Sequence, residues 1–135
     1  MYRNILVPIA FDADHKPNDA IALAQTLSAE GGRITLLHVM DEVPSYAMSY
    51  MPAGFRDETR VALARDLTEK AALLENAQGL VIEGHSGRTI LEWAEEHDVD
   101  CIVIASHRPG ISDFFLGSTA ARVVRHAPCA VHVMR

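Results

Sequence analysis

The chain has 135 residues, of which 49% are hydrophobic and 22% charged, and its formal net charge is −6. That length and apolar share suit one domain, residues 1–135, with a sheet covered on both faces. The negative charge disfavours nonspecific binding to nucleic acid or anionic membranes, no apolar run approaches bilayer length, and Met1-Tyr-Arg-Asn-Ile-Leu-Val-Pro8 enters a strand pattern without a charged leader, so a soluble cytoplasmic protein is expected.

The first apolar run, Arg3 to Ile9, lacks strict alternation, which fits a parallel strand buried on both faces. In the loop that follows, Asp12, Asp14 and His15 with Asp19 have the irregular spacing of a solvated turn and helix-start charges rather than of a metal site. Ala20, Ile21, Ala24 and Leu27 then repeat at helical spacing, and Arg33 to Met40 forms the second strand. The connection from Asp41 to Gly54, with Pro44, Tyr46, Met48, Tyr50, Met51 and Pro52, is longer than most between a strand and a helix. It reads either as a lid over a crevice or as an excursion that packs on a partner subunit.

Leu63, Leu67, Ala71 and Leu74 mark the next helix, and Leu80 to Glu83 the third strand. Ile90, Leu91 and Ala94 mark another helix, with Trp93 at the edge of its stripe, a packed or half-exposed ring rather than a stacking platform for a base. Cys101 to Ala105 is the fourth strand; Ala120, Val123 and Val124 mark the last helix; and Ala130 to Met134 is the fifth strand. Cys101 and Cys129 lie in apolar stretches without disulfide, redox or zinc spacing and read as buried free thiols.

This βαβαβαβαβ order, with right-handed crossovers, implies a Rossmann-like doubly wound α/β domain: a five-stranded parallel sheet in order 3-2-1-4-5 with helices on both faces. Ligands in such sheets sit outside the carboxyl ends of the strands where the order reverses, here between strands one and four. The loops to inspect are Pro8 to Lys16 and Ser106 to Leu116, beside Val39-Met40-Asp41.

The strand Cys101–Ala105 breaks into a polar loop that ends in Gly117-Ser118-Thr119 at a helix start. Free N–H groups at a helix N-terminus and its positive dipole end suit a phosphate, to which a Ser or Thr hydroxyl adds a contact. The plain alternative is that Ser118 only caps the helix. Neither a P-loop nor a Gly-x-Gly-x-x-Gly fingerprint is present. His85 with Ser86, and His107 with Ser106 and Ser112, lack the Gly-x-Ser-x-Gly setting of a nucleophile elbow, so no catalytic triad is read.

The segments Asn4-Ile-Leu-Val-Pro8, Leu36-Leu-His-Val-Met-Asp-Glu42, Glu83-Gly84, Asp100-Cys-Ile-Val-Ile-Ala-Ser-His107 and Leu116-Gly-Ser-Thr-Ala-Ala-Arg-Val-Val-Arg-His-Ala-Pro128 together resemble the universal stress protein family from end to end. The resemblance implies a homodimer with ATP or AMP in each crevice, with or without Mg²⁺. The family's nucleotide-binding motif is Gly-x2-Gly-x9-Gly-Ser/Thr. Ala105 and Arg108 stand at its first two glycines, and the interval from Arg108 to Gly117 is one residue short. Ser-His-Arg-Pro followed by Leu-Gly-Ser is similar to a subgroup of small enterobacterial members also associated with ATP, in which a guanidinium such as that of Arg108 would pair with phosphate.

Carried over by resemblance, adenine and ribose lie near Pro8, Ile9, Ala10 and Val39, with Ile104 and Ala105 at the floor. The phosphates meet Ser106, His107, Arg108, Gly117, Ser118 and Thr119. The family usually has Asp at the position of Ala10, facing the ribose; Asp12 is the nearby substitute. The final strand would be an apolar edge, hidden by pairing across a two-fold axis or protected by His132 and Arg135.

Three functions follow as expectations. The first is a stress-associated nucleotide-binding regulator with no dedicated turnover beyond slow ATP hydrolysis. The second is a dimeric interaction module that binds no nucleotide. The third, ranked last, is phosphotransfer with His107, Arg108 and Ser118 as an electrostatic clamp.

Overall fold

The computed structural model describes residues 1–11, 17–106 and 116–135. Continuous Ile, Leu and Val runs form strands because a β-branched chain packs well on a pleated surface and a parallel strand has no solvent face. Strands β1 (Tyr2–Pro8), β2 (Ser28–Met40), β3 (Ala77–Glu83), β4 (Cys101–Ala105) and β5 (Ala130–Met134) pair in parallel in the order β3-β2-β1-β4-β5. This is the expected order, and Ile5, Leu6 and Val7 of the central strand are fully buried.

Helix α1 (Pro17–Leu27) opens on a proline whose missing N–H needs no intrahelical partner, with Asp19 in its first turn to complement the dipole. α2 (Ser45–Met48) is one short turn inside the long connection, and α3 (Phe55–Ala72) follows Gly54, which sits at φ 79°. α4 (Ser86–Glu96) and α5 (Ser118–His126) complete the set. Right-handed crossovers from a central strand run in opposite directions, so α1 and α3 cover one face of the sheet and α4 and α5 the other. Each face has its own core: Ala24, Leu67 and Ala71 against Ile5, Val7 and Leu36, and Ile90, Trp93 and Val123 against Leu6, Leu37 and Ile102. None of the described helices is long and apolar enough to cross a membrane.

Four local expectations are corrected. β2 begins at Ser28 instead of Arg33, because Tyr2 pairs with Ser28 and Asn4 with Arg33, so residues 29–32 bulge out of register without an apolar signal. β3 begins at Ala77, ahead of its apolar part. Trp93 is 8% exposed and central to its stripe, since Ile90, Trp93 and Ala94 stand at i, i+3 and i+4. Val124 is 47% exposed, as Ala120 and Val123 already fill the face that α5 turns to the sheet.

The amino ends of β1 and β4 are clasped by a carboxylate. Asp100 accepts the backbone N–H groups of Arg3 (2.8 Å) and Asn4 (3.0 Å) and returns its own N–H to the Asn4 carbonyl (3.0 Å). Asn4 Nδ2 donates to the His97 carbonyl at 2.7 Å, which ties the end of α4 to the same corner.

Both cysteines are free thiols; Cys101 is buried and Cys129 half-buried, so only the first fully meets expectation. Burial, and after it the neighbouring Cys129 and Asp100, push the Cys101 thiol up from near 9 to about 11. Between those values the unfolded chain carries a thiolate and the folded one does not, so this contribution to stability is complete below pH ~9 and is lost as pH rises toward 11. At about 1.4 kcal/mol per pKa unit the loss is on the order of 3 kcal/mol. Thermal melts of the wild type should therefore fall more steeply between pH 9 and 11 than those of Cys101→Ala; equal slopes would contradict this.

Helix α3 lies directly on β3 at Gly79, where an added Cβ would stand 2.6 Å from the Leu67 carbonyl carbon. Backbone cannot give way as a flexible side chain can, so Gly79→Ala should cost about 1–3 kcal/mol in urea unfolding with the m-value unchanged.

Candidate functional site

β1 and β4 pair only at Ile5 with Cys101 and Leu6 with Ile102, although the strands continue to Pro8 and Ala105. Clasped at their amino ends and unpaired at their carboxyl ends, they open a crevice at the point where strand order reverses. On the β4 side stand buried Ile104, half-buried Ala105 and buried Ser106. On the β1 side stand half-buried Pro8 and Ala10, with Ile9 buried at 5% exposure. Of the residues expected to meet phosphates, His107 and Arg108 lie outside the described residues, as do Asp12, Asp14 and His15 of the opposite loop.

The start of α5 is fixed by backbone. Ser106 N–H donates to the Met134 carbonyl (2.8 Å), extending the β4–β5 ladder by one residue, and the Ser106 carbonyl accepts the Gly117 N–H (2.8 Å). Gly117 is the N-cap, with no side-chain cap; Ser118 is the first helical residue, so the reading of Ser118 as a plain cap is corrected. The first helical bond runs from Ala121 N–H to the Gly117 carbonyl at 2.8 Å. The N–H groups of Ser118, Thr119 and Ala120 thus belong to a first turn with no intrahelical acceptor, and Ser118 is exposed.

Ser86, set aside in the sequence as a nucleophile, enters here in another role. Its Oγ lies 2.9 Å from Thr119 Oγ1, a bond between the first turns of α4 and α5 across 33 residues of chain. A serine at a helix start reads as an ordinary terminus residue, and only the packing of the two helices makes it a brace for Thr119.

On the other wall, Ile9 N–H donates to the Leu37 carbonyl (2.7 Å) and the Ile9 carbonyl accepts from His38 Nδ1 (2.7 Å). A carbonyl oxygen only accepts, so this His38 nitrogen carries the proton. Phe11 meets the His38 ring edge-on, centroids 4.9 Å apart at 77°. Both backbone groups of Ile9 are therefore engaged, and Ile9 offers a ligand apolar surface. Leu37 faces β1 with its carbonyl, while Met40 faces β3, its carbonyl accepting Gly84 N–H at 2.9 Å. The alternation of a parallel ladder then turns the N–H and C=O of Val39 toward β1, past its last strand residue, Pro8.

In the long connection Tyr46 is 75% and Tyr50 88% exposed. Its base is held by Arg56, which donates to the Asp41 carbonyl (2.9 Å) and lies 3.6 Å from Glu83. A cavity of ≈ 660 Å³ lined by Gln25, Glu30, Ile34, Leu74, Glu75 and Asn76 lies at the amino end of the sheet, away from the crevice. Its two carboxylates would repel a phosphate. Among the described residues no group of three His, Cys, Asp or Glu converges as a metal site.

Residues 1–135, the whole chain, match the model of the universal stress protein family. Universal stress protein G of Salmonella typhimurium is 30% identical over 142 residues, covering 100% of each chain. The solved universal stress protein UspA from Lactobacillus plantarum is 26% identical with a TM-score of 0.73, covering 99% of this chain and 98% of that one. The universal stress protein from Archaeoglobus fulgidus, solved in complex with dAMP, shares the fold with a TM-score of 0.67 at 17% identity, covering 99% and 98%.

An added Cβ at Gly117 would stand 2.6 Å from the Ser106 carbonyl oxygen, so any larger residue pushes the start of α5 away from β4. Gly117→Ala should lose about 1–3 kcal/mol in thermal or urea unfolding. A neutral result would show that this approach is looser than the geometry states.

Proposed function

Because the chain belongs to the universal stress protein family, we propose that it binds an adenine nucleotide, ATP or AMP, in the β1/β4 crevice and acts as a dimeric, stress-associated regulator in the cytoplasm. The observation that carries the reading is the pairing of two backbone features across one crevice. The first turn of α5 presents N–H donors and a positive dipole end suited to phosphate. The Val39 edge presents a donor and an acceptor side by side, which complements the ring nitrogen and amino group of adenine; guanine offers the opposite order. The dAMP bound to the Archaeoglobus fulgidus protein supports an adenine nucleotide as ligand.

In this assignment Pro8, Ile9 and Ala10 line the base and ribose, Ile104 and Ala105 form the floor, and Ser106, Gly117, Ser118 and Thr119 surround the phosphates; His107 and Arg108, outside the described residues, are assigned to the phosphates by the family resemblance alone. Mg²⁺ would arrive on the phosphates. No nucleophile or base is assigned, and binding rather than turnover is the proposed activity. β5 ends the sheet with Ala130 and His132 exposed, which supports a dimer made by pairing this edge with its copy.

A second reading, a dimeric interaction module without nucleotide, is favoured by Ala10. It is half-buried on the ribose wall and offers no carboxylate to accept ribose hydroxyls. Hydrogen bonds to a charged partner contribute about 1.5–3 kcal/mol, or roughly one to two orders of magnitude in affinity.

Calorimetric titration of the wild type and Ala10→Asp with ATP and AMP, with light scattering to read the dimer, separates the two. We expect wild-type binding, tightened about ten- to a hundredfold in Ala10→Asp. Binding by the variant alone selects the module, and binding by neither sinks the nucleotide reading.

A further inference from the structure

The β1–β2 ladder stops one bond early. In a parallel pair, the strand that accepts a bond on one residue returns the next from the N–H two residues on. Since Leu37 accepts the Ile9 N–H, the next bond should run from Val39 N–H to the Ile9 carbonyl. Among the described residues no hydrogen bond joins Val39 to Ile9; the Ile9 carbonyl is met instead by His38 Nδ1 at 2.7 Å. The imidazole is steadied on the same wall by the edge of Phe11. A side chain has thus taken the place of the backbone donor on the neighbouring residue.

We propose that His38 is a positioning residue that takes the Ile9 carbonyl out of the β1–β2 ladder and keeps the Val39 N–H available to the base of a bound nucleotide. The inference rests on the proposed adenine-nucleotide binding for its ligand and on the ladder geometry for its mechanism. Replacing the imidazole by an apolar group leaves the buried Ile9 carbonyl without its donor, and an unpaired buried carbonyl is costly. The regular ladder donor for that carbonyl is the Val39 N–H, which then closes the ladder and is lost to the ligand. Asparagine, whose side-chain N–H lies close to the position of Nδ1, retains the donor.

Two measurements on the folded, isotope-labelled protein test the two parts separately. In amide hydrogen exchange without nucleotide, Val39 should exchange about tenfold more slowly in His38→Leu than in the wild type, with His38→Asn like the wild type. Val39 protected equally in all three, with Leu37 as the internal reference and a melt to confirm folding, overturns the ladder mechanism whatever the nucleotide does. In titrations, His38→Leu should weaken AMP about tenfold while changing ribose 5-phosphate less than about twofold, and His38→Asn should restore AMP. Equal weakening of both ligands overturns the assignment to the base. Absence of wild-type AMP binding removes the proposed function and the ligand half of this inference, while the exchange result still decides the ladder half.

Discussion

Everything in this molecule depends on how β1 is held. Its middle residues Ile5, Leu6 and Val7 have no exposed surface, and it is the central strand of the five, with β2 on one side and β4 on the other. Its pairing to β2 runs from Tyr2 to Pro8 with one bulge, while its pairing to β4 is confined to Ile5 and Leu6. The Asp100 carboxylate closes the amino end of that short pairing through two backbone N–H groups. A sheet clasped at one end and right-handed in its twist opens at the other, and crossovers leaving in opposite directions keep helices from filling the gap. The crevice is thus a consequence of topology before any side chain contributes to it.

Among the described residues, the polar groups toward that crevice are mostly backbone. The Val39 edge and the first turn of α5 offer their groups by conformation, while Ser106 is tied to Gly117 and side chains bond the same walls: His38 at Ile9, Ser86 at Thr119. Such a construction tolerates changes that a side-chain site does not. Ala105 and Arg108 stand where the family motif has glycine, yet the start of α5 is set by the Gly117–Ser106 bond and by the absence of a Cβ at Gly117. A methyl group at Gly117 would strike the Ser106 carbonyl oxygen at 2.6 Å.

The parts read most easily from sequence were those with one dominant force behind them. Unbroken apolar runs such as Cys101–Ala105 announce strands, because only burial on both faces explains them, and the stripe through Leu67 and Ala71 announces a helix packed on one side. The start of β2 is hidden because Ser28, Glu30, Gly31 and Gly32 carry no apolar pattern; Ser28 is held by its pairing with Tyr2, and residues 29–32 bulge out of register. Trp93 was misplaced because a stripe drawn through Ile90, Leu91 and Ala94 overlooks the i+3 position.

The sequence alone determined the alternation of strands and main helices, without the short α2, together with the sheet order 3-2-1-4-5, the end of the sheet where strand order reverses and the start of α5 beside it, all from hydrophobic patterning and the handedness of crossovers. The tertiary structure decided the rest. That β1 and β4 separate after two pairs, that Ser86 braces Thr119, that Gly117 and not Ser118 caps α5, and that His38 occupies the Ile9 carbonyl each depend on groups brought together from distant parts of the chain. Hydrogen bonds are short-ranged and directional, so their partners follow from the packed geometry, whereas burial is nearly indifferent to direction and leaves its trace in the order of residues.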